Sequence, residues 1–132
     1  MPFEWSDYAQ LAETLWNDGR FTPEARRRAS ASRLYYAVHW RVRTLLEARG
    51  SSFGSGSIHK EVVDACLGSR DVAIRVIGEH IKRLRQKRTH ADYDATTGFR
   101  DNDMGVARSA YRNIDSALGG LGAGSVATGP VS

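Results

Sequence analysis

Ala31-Ser-Arg-Leu-Tyr-Tyr-Ala-Val38 lies in the middle of a run from Thr22 to Gly50, and that run decides the fold. Thr22 is a helix N-cap by residue type, and Pro23 suits the first helical position, where its missing N–H costs nothing. Gly50 supplies the stop. Between them Ala31, Leu34, Tyr35, Val38, Val42, Leu45 and Leu46 recur at helical spacing and predict one buried stripe. Arg33, Tyr36, Trp40 and Arg43 lie off that stripe and give the helix a second face. A long helix with two useful faces belongs in the middle of a bundle or at a dimer seam.

Working outward toward the N-terminus, Tyr8, Leu11, Ala12, Leu15 and Trp16 fall at i, i+3, i+4, i+7 and i+8. They predict a helix from Ser6 to about Asp18, with Ser6 as N-cap and Gly19 as stop. In the other direction, Ser51-Ser-Phe-Gly-Ser-Gly-Ser57 has the composition of a flexible connection. A short helix follows from Ile58 to Leu67, with Ile58, Val62, Val63 and Cys66 as its apolar residues and His59 as an exposed residue of its first turn. Asp71 opens the next helix, whose core face is Ile74, Ile77, Ile81 and Leu84. Glu79 and Arg83, four apart, form an expected surface pair. Residues 95–99 are a loop, and a last helix starts at Asp101 or Asn102. Its stripe is Val106, Ala107, Ala110, Tyr111, Ile114, Leu118 and Leu121.

No stretch alternates long enough for a strand, so the class is all-α. The economical arrangement is an antiparallel, up-and-down four-helix bundle with one extra short helix. Residues 1–121 make the helical domain, and residues 122–132, rich in Gly, Ala, Ser and Thr, read as a disordered tail. A chain of 132 residues with a 41% hydrophobic fraction suits one domain. No apolar run approaches the roughly 18 residues of a membrane span, and Met1-Pro-Phe-Glu-Trp5 has neither basic start nor apolar stretch, so the cytoplasm is the expected compartment. Cys66 is the single cysteine, which rules out an internal disulfide and argues against a zinc cluster. No glycine-rich phosphate loop, His-Glu-x-x-His or Ser/His/Asp framework stands in the chain, and no helix face carries paired carboxylates. No cofactor and no metal are expected.

The formal net charge is +4, and its clustering says more than its size. Arg26-Arg-Arg28, Arg41 with Arg43, and Lys82 to Arg88 are local concentrations. The last of these runs into Thr89-His-Ala-Asp-Tyr-Asp94 at the end of a helix. A cationic helix end that meets a His and a Tyr has two readings. It is a grip for a phosphodiester with a proton-transfer group beside it, or a solvated terminus whose cations answer the helix dipole.

Ala31-Ser-Arg-Leu-Tyr-Tyr-Ala37 together with Arg88-Thr-His-Ala-Asp-Tyr-Asp94 resembles the HEPN family of small helical domains. The resemblance runs over roughly residues 4–121 in helix order and loop position. It implies an antiparallel bundle that dimerises, and a family that includes RNA-cutting toxins and modules encoded beside a small nucleotidyltransferase. Catalytic members carry Arg-x4–6-His and cleave RNA without metal, the Arg holding phosphate and the His handling a proton. Arg85-Gln-Lys-Arg-Thr-His90 has that spacing, so Arg85 and His90 are the implied catalytic pair, in an endoribonuclease acting as a homodimer. Arg33, Lys82, Arg83, Lys87 and Arg88 are the implied phosphate contacts, supported by Tyr36, Asp92 and Tyr93. The other implied role is a non-catalytic module that binds an antitoxin or nucleotidyltransferase partner.

Two departures bear on the carry-over. Gln86 stands where catalytic motifs place Asn, Asp or His, and the arginine aligned with the Ala-Asp-Tyr-Asp element is Arg88, which no His follows at the required distance. A five-residue step also turns a continuous helix by about 140°. Arg85 and His90 therefore share a site only if the helix unwinds near Arg88 or a second subunit supplies one group. Arg33 has a plainer expected role, pairing with Asp92 to lock the loop onto the bundle.

Overall fold

The computed structural model describes residues 3–54 and 56–128, with side chains described through Leu121. The described residues form five helices and no strand: α1 (Asp7–Trp16), α2 (Pro23–Ala48), α3 (Ile58–Leu67), α4 (Val72–Tyr93) and α5 (Asp101–Thr128). The all-α class expected from the periodicity is the class observed. α2 packs against each of the other four helices and forms the centre of a helical bundle. The disorder expected for residues 122–132 concerns side chains, and from residue 129 also a backbone, outside the described residues.

Local chemistry sets most helix ends. The Thr22 side chain accepts from Ala25 N–H at 3.3 Å with Pro23 in the first turn, and the Asp71 carboxylate accepts from Ala73 N–H at 2.9 Å. Ser57 caps α3 through Lys60 N–H. At the end of α2, Gly50 has φ +102°, and Ser51 N–H returns to Leu46 O while Gly50 N–H returns to Glu47 O, each at 3.0 Å. Only glycine adopts that left-handed closure without strain. Ser6 departs from expectation. Its backbone is already helical and its side chain makes no capping bond, because a tight turn from Glu4 feeds α1.

The core joins Tyr35, Ile74, Ile77, Ile81, Leu84, Met104 and Ile114, all fully buried. Phe99 joins them at 0% exposure although its neighbours are loop residues. Its backbone is held from α2, where Arg27 Nε–H donates to Phe99 O at 2.8 Å and Glu24 accepts from Phe99 N–H at 3.1 Å. Ser30 ties α2 to α1 by donating to Ala12 O at 2.9 Å.

The second face of α2 is not left bare. Trp5 stacks on Trp40 at 5.2 Å and 20°, Phe3 and Tyr8 pack edge-on against Trp5, and the Arg43 guanidinium lies 5.0 Å from the Trp40 ring. The N-terminal segment thus covers part of the surface that the sequence leaves for a dimer seam. Among the described residues, no helix is long and apolar enough to cross a membrane.

Candidate functional site

Where α2, α3 and α4 meet, the core stops being apolar. Arg88, in the last part of α4, is only 6% exposed. Its guanidinium carbon lies 5.0 Å from the ring centre of Tyr35, 5.5 Å from Tyr36 and 5.7 Å from Tyr93. The adjacent α2 tyrosines supply two walls, because neighbouring helical positions diverge by about 100° and so can flank one partner. Tyr93, the last residue of α4, supplies the third and is 74% exposed. The closest carboxylate, Asp92 one turn on, stands 4.0 Å away and itself accepts from Ser32 Oγ–H at 3.0 Å. Arg88 Nε has no hydrogen-bond partner among the described residues. A buried cation held by ring faces and one distant carboxylate is poorly compensated.

Two histidines adjoin it. The Tyr35 hydroxyl lies 2.7 Å from His59 Nδ1 and 3.2 Å from His39 Nδ1, and the two imidazole centres are 4.5 Å apart. Tyr35 and His39 are one turn apart on α2, and His59 is the second residue of α3. Burial, and then the neighbouring His59, push His39 down to about 3. Partial burial, followed by the charges of Arg88 and Arg85, holds His59 below the ordinary histidine value. Both rings are therefore neutral at pH 7. Burial pushes the Tyr35 phenol up to about 12, against the pull of the two arginines, so it keeps its proton.

Arg85 stands three residues before Arg88 on α4, half-buried, and its Nε also lacks a hydrogen-bond partner among the described residues. It lines an open recess of about 480 Å³ between α3 and α4 together with Lys82, Thr89 and the ion-paired Lys60 and Asp64. The junction thus gathers two guanidiniums, two neutral imidazoles and three phenols. Its electrostatic character is positive, and side chains able to donate or accept a proton stand beside the guanidiniums. Among the described residues, no three His, Cys, Asp or Glu side chains converge as a metal site.

The residues singled out in the sequence divide by position. Tyr36, Asp92 and Tyr93 converge on Arg88. Arg85 and His90 do not meet within the chain, because α4 runs unbroken to Tyr93 and keeps them on separate faces. His90 Nε2 bonds the Thr97 carbonyl at 3.0 Å, and its ring sits edge-on to Phe99 at 5.1 Å. Arg33 makes no ion pair with Asp92. It lies 5.0 Å from the Tyr8 ring and 5.7 Å from Tyr36, and donates to Ser32 Oγ at 3.2 Å. Lys87 is paired with Asp103 at 2.7 Å. Arg83 bonds His80 at 3.0 Å in place of the expected partner Glu79. Lys82 is exposed.

The sequence reading passed over His39 and the Tyr35 hydroxyl, and its exposed first-turn residue, His59, is instead half-buried because its ring turns inward onto Tyr35. A signal was present: His59, Val62, Val63 and Cys66 follow the i, i+3, i+4, i+7 pattern of a buried face. His39 likewise stands four after Tyr35 and three before Val42. A histidine in an apolar stripe asks for a hydrogen-bond partner, and here one phenol serves both. The chain matches no family model, and it matches neither a curated protein nor a solved structure.

Proposed function

We propose that the protein is a HEPN-type antiparallel helical bundle that binds RNA, or the phosphate of a nucleotide, at Arg88, acting in the cytoplasm as a homodimer. The short connections between α1 and α2, α3 and α4, and α4 and α5 favour antiparallel neighbours. One observation carries the binding reading. Arg88 is nine-tenths buried, has a free Nε–H among the described residues, and has no carboxylate closer than 4.0 Å. A phosphate supplies the missing charge and accepts two guanidinium N–H bonds at once. Exposed Tyr93 covers Arg88, and its ring offers a face on which an unpaired base stacks, as single-stranded ligands require. Arg85 and Lys82 extend the positive surface along the adjoining recess.

The test is Arg88→Met, which keeps an unbranched side chain and removes the charge. Binding of a labelled single-stranded RNA falls at least tenfold by fluorescence anisotropy, and the slope of log affinity against log salt flattens by about 0.7 for the lost phosphate contact. The melting temperature does not fall, because an under-compensated buried cation has been removed. Unchanged binding overturns the reading. A large drop in melting temperature with binding intact makes Arg88 a structural residue instead.

A further inference from the structure

α1 and α5 both pack on α2, but their backbones do not approach each other, and the space between them is not filled. The reason lies in the side chains. Ala9 and Ala12 on α1 and Ser30 on α2 stand where a bundle core ordinarily carries larger residues, and Leu34 is the one long apolar side chain beneath them. They leave an open recess of about 600 Å³, within the size range of small-molecule sites.

α5 supplies the far wall. Arg108, Tyr111 and Arg112 stand at i, i+3 and i+4, so they share the face turned to the recess. The acids nearby are taken. Arg108 reaches across to Glu13 at 3.0 Å, its guanidinium 5.2 Å from the Trp16 ring, and Asp115 is held by Arg41 at 2.8 Å. Arg112, one turn beyond Arg108, is exposed and has no ion pair among the described residues. The recess thus joins an apolar floor, an aromatic wall and one guanidinium in excess of its single carboxylate.

We infer that this recess is a binding site for a small apolar monocarboxylate, its hydrocarbon body on Ala9, Ala12 and Leu34 against the Tyr111 ring and its carboxylate paired with Arg112. The charge selects the class. A neutral apolar ligand leaves Arg112 unused, and a dianion brings a second charge that meets Glu13 with no free cation to offset it. The size excludes a docked helix, because the α5 lining from Arg108 to Arg112 spans only about 6 Å, too short for anchors on successive turns. The site is independent of Arg88, which meets α2 at Tyr35 and Tyr36 and not at Ser30 and Leu34.

The experiment titrates the isotopically labelled full chain with 2-naphthoate and with 2-naphthylmethanol, its uncharged counterpart, and follows backbone amide shifts. Naphthoate binds with a Kd of about 1 mM or tighter, ordinary for a ligand of its size. Its shifts gather on residues 9–14 and 108–112 and spare α3. The alcohol binds about fivefold more weakly, the worth of one ion pair open to water. Arg112→Gln, a change at an exposed residue, weakens naphthoate by the same factor and leaves the alcohol unchanged. Ala9→Phe fills the recess and removes both probes at an unchanged melting temperature; if that variant unfolds, Arg112→Gln decides alone. Equal affinity for the two probes, or undiminished naphthoate binding in Arg112→Gln, overturns the inference. So do shifts that gather around Arg88, or binding of neither probe. Naphthoate that splits a dimer by light scattering gives the recess to a second copy of the chain, and the inference falls. None of these outcomes bears on RNA binding at Arg88, which Arg88→Met tests.

Discussion

Arg28 on α2 donates to the carbonyl of Asp94, the C-cap residue of α4, at 2.8 Å. The same guanidinium reaches the carbonyls of His90, Ala91 and Thr97, and its Nε–H is held by Glu24 at 2.9 Å. A helix end leaves carbonyls without partners, and here a side chain from another helix satisfies them. The basic run Arg26-Arg-Arg28 thus contributes the clasp that fixes the end of α4, and with it the placement of Arg88 and Tyr93.

Arg28→Ala is therefore expected to destabilise the fold by about 3 kcal/mol, the scale of charge-assisted hydrogen bonds whose loss leaves polar groups uncompensated. Urea denaturation measures it. Arg28→Lys should recover less than half, because one ammonium cannot span four carbonyls. A loss under about 1 kcal/mol in Arg28→Ala would show that water caps α4 equally well.

These contacts mark where the sequence stopped being readable. The helix ends at Thr22, Pro23, Gly50 and Asp71 were legible because these residues act on backbone groups within a few residues of themselves. The all-α class was legible because apolar spacing is local too. Arg28, Phe99 and His59 act on partners dozens of residues away, and no local pattern says which basic residue becomes a clasp. Phe99 sits among Thr, Gly and Asp, so its surroundings in sequence describe a loop while α2 makes it core. The site was half legible for the same reason: Arg88, Tyr36, Asp92 and Tyr93 belong to quoted motifs, whereas His39 and His59 meet only through Tyr35.

Gly78 sets how closely α3 docks on α4, and so where His59 sits. A Cβ at that position lies 2.9 Å from Cys66 Cβ and 3.0 Å from the Leu67 backbone nitrogen. Alanine improves helix propensity by about 1 kcal/mol, but overpacking a tight interface costs about 1–3 kcal/mol. Since part of the clash is with backbone, the overpacking wins and Gly78→Ala lowers the melting temperature. Gly105→Ala, on α5 with nothing within 4 Å of the added Cβ, raises it. Equal shifts in both variants would mean that α3 yields without cost.

Stability should fall as pH drops from 6.5 toward 3. His39 is held down to about 3 when folded and titrates near 6.5 when unfolded, so the unfolded chain binds the extra proton throughout that window. Its contribution is complete above pH 6.5 and declines by up to about 1.4 kcal/mol per pH unit below it. His59 and His80 are lowered as well and add in the same direction. The carboxyls of Asp71, Asp94 and Asp103 are also lowered and act nearer pH 4. Urea midpoints at pH 7, 6 and 5 isolate the histidines, and His39→Gln should flatten that part of the curve. A profile equally steep in the variant would remove His39 as its source.

Arg85 and His90 offer the sharpest choice between one-chain and two-chain sites. On separate faces of an unbroken α4 they touch different surroundings, Arg85 the recess beside α3 and His90 the Phe99 loop. Residues without shared partners have effects that add to within about 0.5 kcal/mol, whereas coupled residues deviate by about 0.5–3 kcal/mol. In a double-mutant cycle on RNA affinity, Arg85→Ala and His90→Ala should therefore be additive. Arg85→Ala weakens binding by removing a cation beside Arg88, and His90→Ala chiefly lowers thermal stability by releasing Thr97 and the edge of Phe99. Light scattering at the same protein concentrations supplies the mass. One RNA bound per chain, with affinity unchanged on dilution through any dimer–monomer transition, goes with additivity and keeps the site around Arg88 within a single subunit. Strong coupling that disappears when the dimer dissociates would instead move the working site to the subunit interface, with one chain supplying the guanidinium and the other the imidazole.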